Sequence, residues 1–251
     1  MDAKSVFGPR VAYYAQARPD YPTAVLDCLR EEYGLTDTAV IADVGSGTGK
    51  LARLFLANGN PVFGVEPDPE MRAAAEQYLQ AFPRFTAVAG TAEATTLPSA
   101  SVDVVAAGQA AHWFDLAGAQ PEFRRIVRPG GLAALVWNQR DRRDPLVQGF
   151  DRLVHAFRQP STELRRANAA PADVTALAGP QARHHTFTYS QELDFTGLAA
   201  RILSISFVPL PGEPNHEALL AGLRELFAAH EVNGRVHLPY HTELYVGRLS
   251  V

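Results

Sequence analysis

At 251 residues the chain has room for one large domain or a core with a substantial insertion, and its 47% hydrophobic and 20% charged composition excludes a disordered or fibrous protein. Lys and Arg number 23 against 27 Asp and Glu, a formal net charge of −4 that argues against bulk-charge attachment to nucleic acid or an anionic membrane. One cysteine, Cys28, excludes an internal disulfide framework and a multi-cysteine zinc site, and makes the reducing cytoplasm the expected compartment.

Met1-Asp2-Ala3-Lys4 lacks the apolar stretch of a signal peptide, and no run of about 18 apolar residues follows, so neither export nor membrane insertion is expected. Residues 1–21 are dense in aromatics and helix breakers (Phe7, Pro9, Tyr13, Tyr14, Pro19, Tyr21) and read as an irregular arm. Pro22 suits a first helical position, and Val25, Leu26, Leu29 and Tyr33 share one face until Gly34 stops the helix. Short apolar runs then alternate with helical stretches. Val40 to Val44 reads as a buried strand, followed by a glycine turn and a helix through Leu51, Leu54 and Phe55 that Asn58-Gly59 ends. Val62 to Val65 is the second strand, and Asp68-Pro69 opens a helix to about Gln80 as N-cap and first-turn proline. Phe85 to Val88 and Val102 to Ala107 are the third and fourth strands. The next helix is kinked by Pro121 or begins near it, and ends before a turn at Arg128-Pro129-Gly130-Gly131. Leu132 to Trp137 is the fifth strand. Five apolar strands alternating with helices spell βαβ units, hence an α/β fold with a parallel sheet covered on both faces. Beyond Asn138, residues 145–180 and 195–231 read as helices lying over the ligand-binding end of the sheet. His185 to Asp194 and Thr242 to Leu249 alternate as strands, the last expected at the sheet edge.

The segment richest in chemistry is Asp43-Val44-Gly45-Ser46-Gly47-Thr48-Gly49, where glycines between a strand and a helix let the backbone turn sharply and meet a ligand closely. A phosphate-binding P-loop fails twice: Val44 stands at its first glycine, and Leu51 follows Gly49-Lys50. A dinucleotide fingerprint counted from Gly45 meets Lys50 at its third glycine. A turn built only for strand–helix packing is the bland alternative. Glu66 ends the second strand 21 residues after Gly45, where a carboxylate can accept both hydroxyls of an adenosine ribose; an exposed strand-end acid is the other reading.

The full run, Asp-x-Gly-x-Gly-x-Gly, then Gly90-Thr91-Ala92-Glu93, Leu97-Pro98, Ser101-Val102-Asp103 and Arg128-Pro129-Gly130-Gly131, closely resembles class I S-adenosylmethionine-dependent methyltransferases. Ala111-His112-Trp113-Phe114-Asp115 and the arm Tyr14-Ala15-Gln16-Ala17-Arg18-Pro19-Asp20-Tyr21-Pro22 are similar to the type 11 methyltransferase domain family, including trans-aconitate methyltransferase-like small-molecule enzymes. The resemblance implies a Rossmann-like seven-stranded sheet, mostly parallel with an antiparallel edge strand, helices on both faces and a helical cap. It divides a single domain, 1–251, into an arm (1–21), a cofactor core (about 36–138) and a substrate region (about 139–235). It implies S-adenosylmethionine as cofactor and S-adenosylhomocysteine as product. By the same likeness Asp43, Gly45, Ser46, Gly47 and Gly49 meet the methionine part, Glu66 the ribose, and Pro67, Asp68 and Met71 the adenine face. Thr91, Ala92 and Glu93 read the adenine edge, Gln109 and Ala110 face the reaction space, and Tyr14 (or Tyr13) and Arg18 close over the cofactor.

Gly108-Gln109-Ala110-Ala111 does not match the Asn/Asp-Pro-Pro-Tyr/Phe motif of base amino-methylating enzymes, and Cys28 lies far from the place of a pyrimidine C5 nucleophile. A small-molecule substrate, without nucleic acid or membrane, is therefore expected, with a monomer or homodimer. His112 is the candidate general base or orienting group; a ring that only packs beside Trp113 is the alternative. His184-His185 and His237-x3-His241 prompt a metal check, but Pro239 breaks the second pair and no acidic cluster adjoins it, so no metal is expected. Arg140, Arg142, Arg143, Arg165 and Arg166 form either a solvated helix face or an anion-capturing patch. Two rivals remain at this point, an NAD-type oxidoreductase and a non-catalytic cofactor-binding protein.

Overall fold

The computed structural model describes residues 17–159 and 175–249. Its elements are α1 (Ala24–Tyr33), β1 (Ile41–Val44), α2 (Lys50–Ala57), β2 (Val62–Val65), α3 (Pro69–Tyr78), β3 (Phe85–Val88), β4 (Val102–Gly108), α4 (Leu116–Ile126), β5 (Val127–Arg140), α5 (Pro145–Ala156), β6 (Arg183–Leu193), α6 (Phe195–Leu203), α7 (His216–His230) and β7 (Val236–Arg248). The seven strands form one sheet in the order β3-β2-β1-β4-β5-β7-β6, and β3, β2, β1, β4 and β5 pair in parallel. β7 runs antiparallel to β5: the Asp141 amide donates to the Pro239 carbonyl at 2.9 Å, and the Leu249 amide to Gly131 at 3.0 Å. β7 thus lies second from the edge, with β6 outside it.

The described residues form two compact units. The larger comprises residues 20–138, 175–187 and 242–249. Alternate residues of its strands feed opposite apolar layers. Ile41, Val104, Ala106, Leu132 and Ala134 pack with α1 and α2, whereas Ala42, Val105, Ala107, Ala133 and Leu135 pack with Phe123 and Ile126 of α4. Both faces being covered explains why the strands read as continuous apolar runs. The smaller unit comprises residues 17–19, 139–159 and 188–241, with its own core of Phe150, Leu198, Ile202, Leu219, Leu223 and Tyr240.

Caps fall where the residue types require. Asp68 Oδ1 accepts from the Glu70 and Met71 amides with Pro69 at the first turn, and Asp144 does the same for α5 with Pro145. Four expectations need correction. Arg128-Pro129-Gly130-Gly131 does not precede β5 but bulges within it: Val102 pairs with Val127 while Val104 pairs with Leu132, and Gly130 takes φ +79°. β7, expected at the sheet edge, has β6 outside it; α4 runs through Pro121 rather than beginning near it, which leaves the kinked alternative. The helix expected over 195–231 is two helices, because Pro209, Pro211 and Pro214 lie between Leu203 and His216 and cannot donate to a helical ladder. The helix expected over 145–180 ends at Ala156; its stretch 160–174 lies outside the described residues, and Ala176–Ala178 is a single 3₁₀ turn. Among the described residues no helix is long and apolar enough to cross a membrane.

Candidate active site

β1 lies between β2 and β4, and the chain leaves those two strands in opposite directions across the sheet, the switch point at which open α/β sheets hold ligands. The loop after β1 spends the Gly45 and Ser46 amides on the Val65 carbonyl, at 2.8 and 3.1 Å, and the Gly49 amide on Ser46. Gly45 has φ +68° and a Cβ there would stand 2.6 Å from that of Ala110, so packing demands glycine. Gly47 has φ +53°, yet a Cβ there would meet nothing within 4 Å. Its backbone face is open to a ligand's approach.

Glu66 closes over this loop. Its Oε2 accepts from the Gly47 amide at 2.9 Å and its Oε1 from the Asp68 amide at 3.0 Å. Burial pushes its pKa up and the two amides oppose that shift. A carboxylate has about four acceptor sites, so roughly two remain for hydroxyl donors. Asp43, 1% exposed, lies beneath the loop, and neither of its oxygens makes a hydrogen bond among the described residues. Burial pushes its pKa up to about 8; the nearby Ala52 amide opposes this, and the Glu66 charge adds a smaller push upward. The buried Thr48 hydroxyl also has no hydrogen-bond partner among the described residues. Lys50, where a P-loop would carry its phosphate-binding lysine, instead donates to Asp20 at 3.1 Å. On the neighbouring turn Met71 is buried, and Arg72 ties down the Glu66 and Pro67 carbonyls at 2.7 and 2.8 Å.

The loop after β3 is held from below. Thr91 and Ala94 exchange backbone hydrogen bonds around the buried Ala92, and Glu93 Oε1 accepts the Asp115 amide at 2.8 Å. Its anchor is Thr95, whose amide and hydroxyl both donate to Glu122 Oε1, while Arg125 grips both oxygens of Glu122 and also the Leu97 carbonyl. Arg125 and then Thr95 hold the Glu122 pKa down to about 2 against the effect of burial. Its stabilisation is complete above the unfolded value near 4.5 and is lost as pH falls through about 2. Glu122→Gln is expected to cost about 1–2 kcal/mol at pH 7 in urea denaturation, discounted because Arg125 is partly exposed. An unchanged midpoint would deny the anchor.

After β4, Gln109 takes φ +56° and its side chain donates to the Asn138 carbonyl at 2.7 Å, so that amide serves the fold and its neighbour Ala110 packs under Gly45. His112 sits half-buried on a 3₁₀ turn (Ala111–Trp113), its ring 5.1 Å from that of Trp113, which is 52% exposed. Arg18 belongs to the smaller unit, where it donates to the Ser204 carbonyl at 3.3 Å. Tyr13 and Tyr14 lie outside the described residues. The histidines of the metal check go to separate acids: His184 to Glu243, His237 to Glu192 and His241 to Asp141. His185 shares Glu32 with Cys28, but Arg183 already balances that carboxylate at 2.8 Å.

Residues 42–135 match the family model described as a methyltransferase domain. Over 245 residues the chain is 32% identical to an uncharacterized methyltransferase of Mycobacterium tuberculosis, covering 96% of this chain and 94% of the relative. The chain belongs to the class I S-adenosylmethionine-dependent methyltransferases. The fold agrees. A chain from Anaeromyxobacter dehalogenans, solved as a candidate type II methyltransferase, aligns over 93% of this chain and 98% of its own with a TM-score of 0.65 at 23% identity. Geranyl diphosphate C-methyltransferase from Streptomyces coelicolor, solved with S-adenosylhomocysteine, aligns over 90% and 74% with a TM-score of 0.50 at 12% identity. Family membership removes the oxidoreductase reading.

Sequence reasoning about this methyltransferase missed the Glu122–Arg125 anchor and the buried Arg201. The first had a signal, since Glu and Arg at i, i+3 on a helix can share a partner. The second had none, because Arg201 sits in an apolar helical run whose partner, Tyr240, is 39 residues away.

Proposed function

We propose that Asp43, the loop from Gly45 to Gly49 and Glu66 bind S-adenosylmethionine, and that the protein transfers its methyl to a small organic molecule. The observation that carries this reading is Asp43: a buried acid whose oxygens have no hydrogen bond among the described residues, two residues before a glycine loop whose middle glycine is open. An isolated buried charge is costly, and a cationic group of a ligand supplies the missing partner. The fold neighbour from Streptomyces coelicolor, which holds S-adenosylhomocysteine, supports the same cofactor class. The spare acceptor sites of Glu66 take the ribose hydroxyls, Pro67 and Met71 flank the adenine, and the Thr91-Ala92-Glu93 turn reads its edge through backbone and the free oxygen of Glu93.

When bound, the cofactor supplies a methyl on positively charged sulfur, so the chain's task is chiefly to align a nucleophile. His112 orients the acceptor, or takes its proton where it has one. His112→Ala is expected to slow transfer about tenfold, the worth of one neutral hydrogen bond, without altering cofactor affinity. An unchanged rate and pH profile would remove both roles. The remaining assignments follow the sequence reading: a cofactor core near residues 36–138, a substrate region near 139–235, a cytoplasmic setting, and a monomer or homodimer acting on neither nucleic acid nor membrane.

Two measurements test the proposal. Calorimetry should show S-adenosylhomocysteine binding and no NAD binding; the reverse overturns the cofactor. A labelled-methyl screen over acids, phenols, thiols and amines should find an acceptor, and a screen without transfer favours the non-catalytic alternative.

A further inference from the structure

The smaller unit contains a charge that no carboxylate balances among the described residues. Arg201, in the last turn of α6, is 3% exposed. Its Nε donates to the Tyr240 hydroxyl at 3.1 Å and its Nη1 to the Ser204 hydroxyl at 3.3 Å. Both partners are neutral. No carboxylate stands within ion-pair distance of it among the described residues. A guanidinium carries five N–H donors, so the two hydrogen bonds leave a majority unused. Nη2 has no hydrogen bond among the described residues and is not among the sealed atoms, so it retains access.

The surroundings add positive charge. Arg140, the last residue of β5, is gripped twice by Asp151 Oδ1, at 3.0 and 2.6 Å, and lies over the Phe150 ring. Arg142 shares the same carboxylate at 3.6 Å. Burial first, and the charge of Arg201 second, lower the pKa of Arg140, so the two guanidinium groups feel each other. Arg18 adds a third near the end of α6, through the Ser204 carbonyl. The negative end of α6 offsets only about half a charge. Among the described residues Asp151 is thus the one carboxylate serving Arg140 and Arg142, and none serves Arg201.

Natural cores keep an uncompensated buried charge at the expense of stability, and a ligand of opposite sign is a physical reason to keep one. Planar guanidinium donors match carboxylate or phosphate oxygens. We propose that Arg201, with Tyr240 and Ser204 holding its guanidinium in place, binds an anionic group, carboxylate or phosphate, of the methyl acceptor. The site stands on the smaller unit alone; its identification with the acceptor rests on the methyltransferase reading above.

The test uses the full chain and Arg201→Met, which keeps length and apolar volume while removing the charge. Melting temperature is followed against sodium phosphate, sodium citrate and, at matched ionic strength, sodium chloride. The wild type should rise saturably with phosphate or citrate beyond chloride, and the better of the two assigns the oxygen chemistry. Arg201→Met should melt higher than wild type in chloride and lose the anion-specific rise. Arg201→Lys, which keeps the charge without the fork, should retain a reduced rise. Equal responses to all three salts, or an undiminished rise in Arg201→Met, overturn the site. Methyl transfer to an acidic acceptor should show KM raised at least tenfold in Arg201→Met with kcat nearly kept, and faster transfer to the neutral ester or amide analogue overturns the acceptor assignment. S-adenosylhomocysteine binding, measured alongside, separates the failures: if it persists without the anion effect, only this inference falls.

Discussion

Glu66→Ala is expected to weaken S-adenosylhomocysteine binding roughly 10- to 100-fold, the worth of one or two charge-assisted hydrogen bonds. The side chain has two duties. It holds the loop by accepting the Gly47 and Asp68 amides, and in the proposed reading its remaining lone pairs take the ribose hydroxyls. The loss should appear in affinity more than in melting temperature. Burial raises the Glu66 pKa in spite of both amides, so the ionised carboxylate is not a net stabiliser of the folded chain. Glu66→Gln separates the duties: its single carbonyl oxygen can keep one amide in place but cannot serve both amides and both hydroxyls. Calorimetry should therefore rank wild type above Gln and Gln above Ala. An unaltered affinity in the Ala variant would contradict the ribose assignment.

The parts of this site that were legible in the sequence are those whose partners lie close along the chain or at a fixed βα spacing. Asp43, the three loop glycines and Glu66 sit at consecutive strand ends, and a parallel sheet brings such ends together. Asp68-Pro69 is legible because a cap is local chemistry. What stayed hidden depends on long-range pairing. Nothing near Thr95 shows that Glu122, 27 residues on, will accept both its amide and its hydroxyl. Likewise the alternation of residues 242–249 marks a strand but not its place between β5 and β6. The break between α6 and α7 was legible in Pro209, Pro211 and Pro214, but apolar periodicity on either side outweighed them. Function was legible to the level of the methyltransferase family because that family's motifs are backbone turns with strict residue needs. The residue proposed to meet the acceptor, Arg201, is an ordinary side chain that carries no motif.

Asp43→Asn is expected to stabilise the free protein and damage cofactor binding, and both effects should depend on pH. The folded pKa of about 8 lies above the unfolded value near 3.8. Between these values the folded chain holds a proton that the unfolded chain has released, so wild-type stability should fall as pH rises from about 4 to about 8. The full penalty, several kcal/mol as an upper bound, is present above that range. Asparagine has the same shape and no charge. Its variant should match wild type near pH 4, melt well above it at pH 8.5, and lack the descending slope between. Binding should show the complementary pattern. A cationic methionine end beside Asp43 favours the carboxylate, so wild type binding S-adenosylhomocysteine near pH 7 should release close to one proton, read by calorimetry in buffers of different ionisation enthalpy. The Asn variant should release almost none and bind roughly 10- to 100-fold more weakly at pH 8.5. Equal affinity and equal proton release in the two proteins would remove Asp43 from the site. The same logic applies with opposite sign to Arg201: each unit buries one ionisable side chain that costs the free protein stability, an acid that the proposed cofactor reading pairs with a cation and a guanidinium that the proposal above pairs with an anion. Combining Asp43→Asn with Arg201→Met should therefore raise the melting temperature additively, because the two side chains share no hydrogen-bond partner among the described residues, while abolishing methyl transfer.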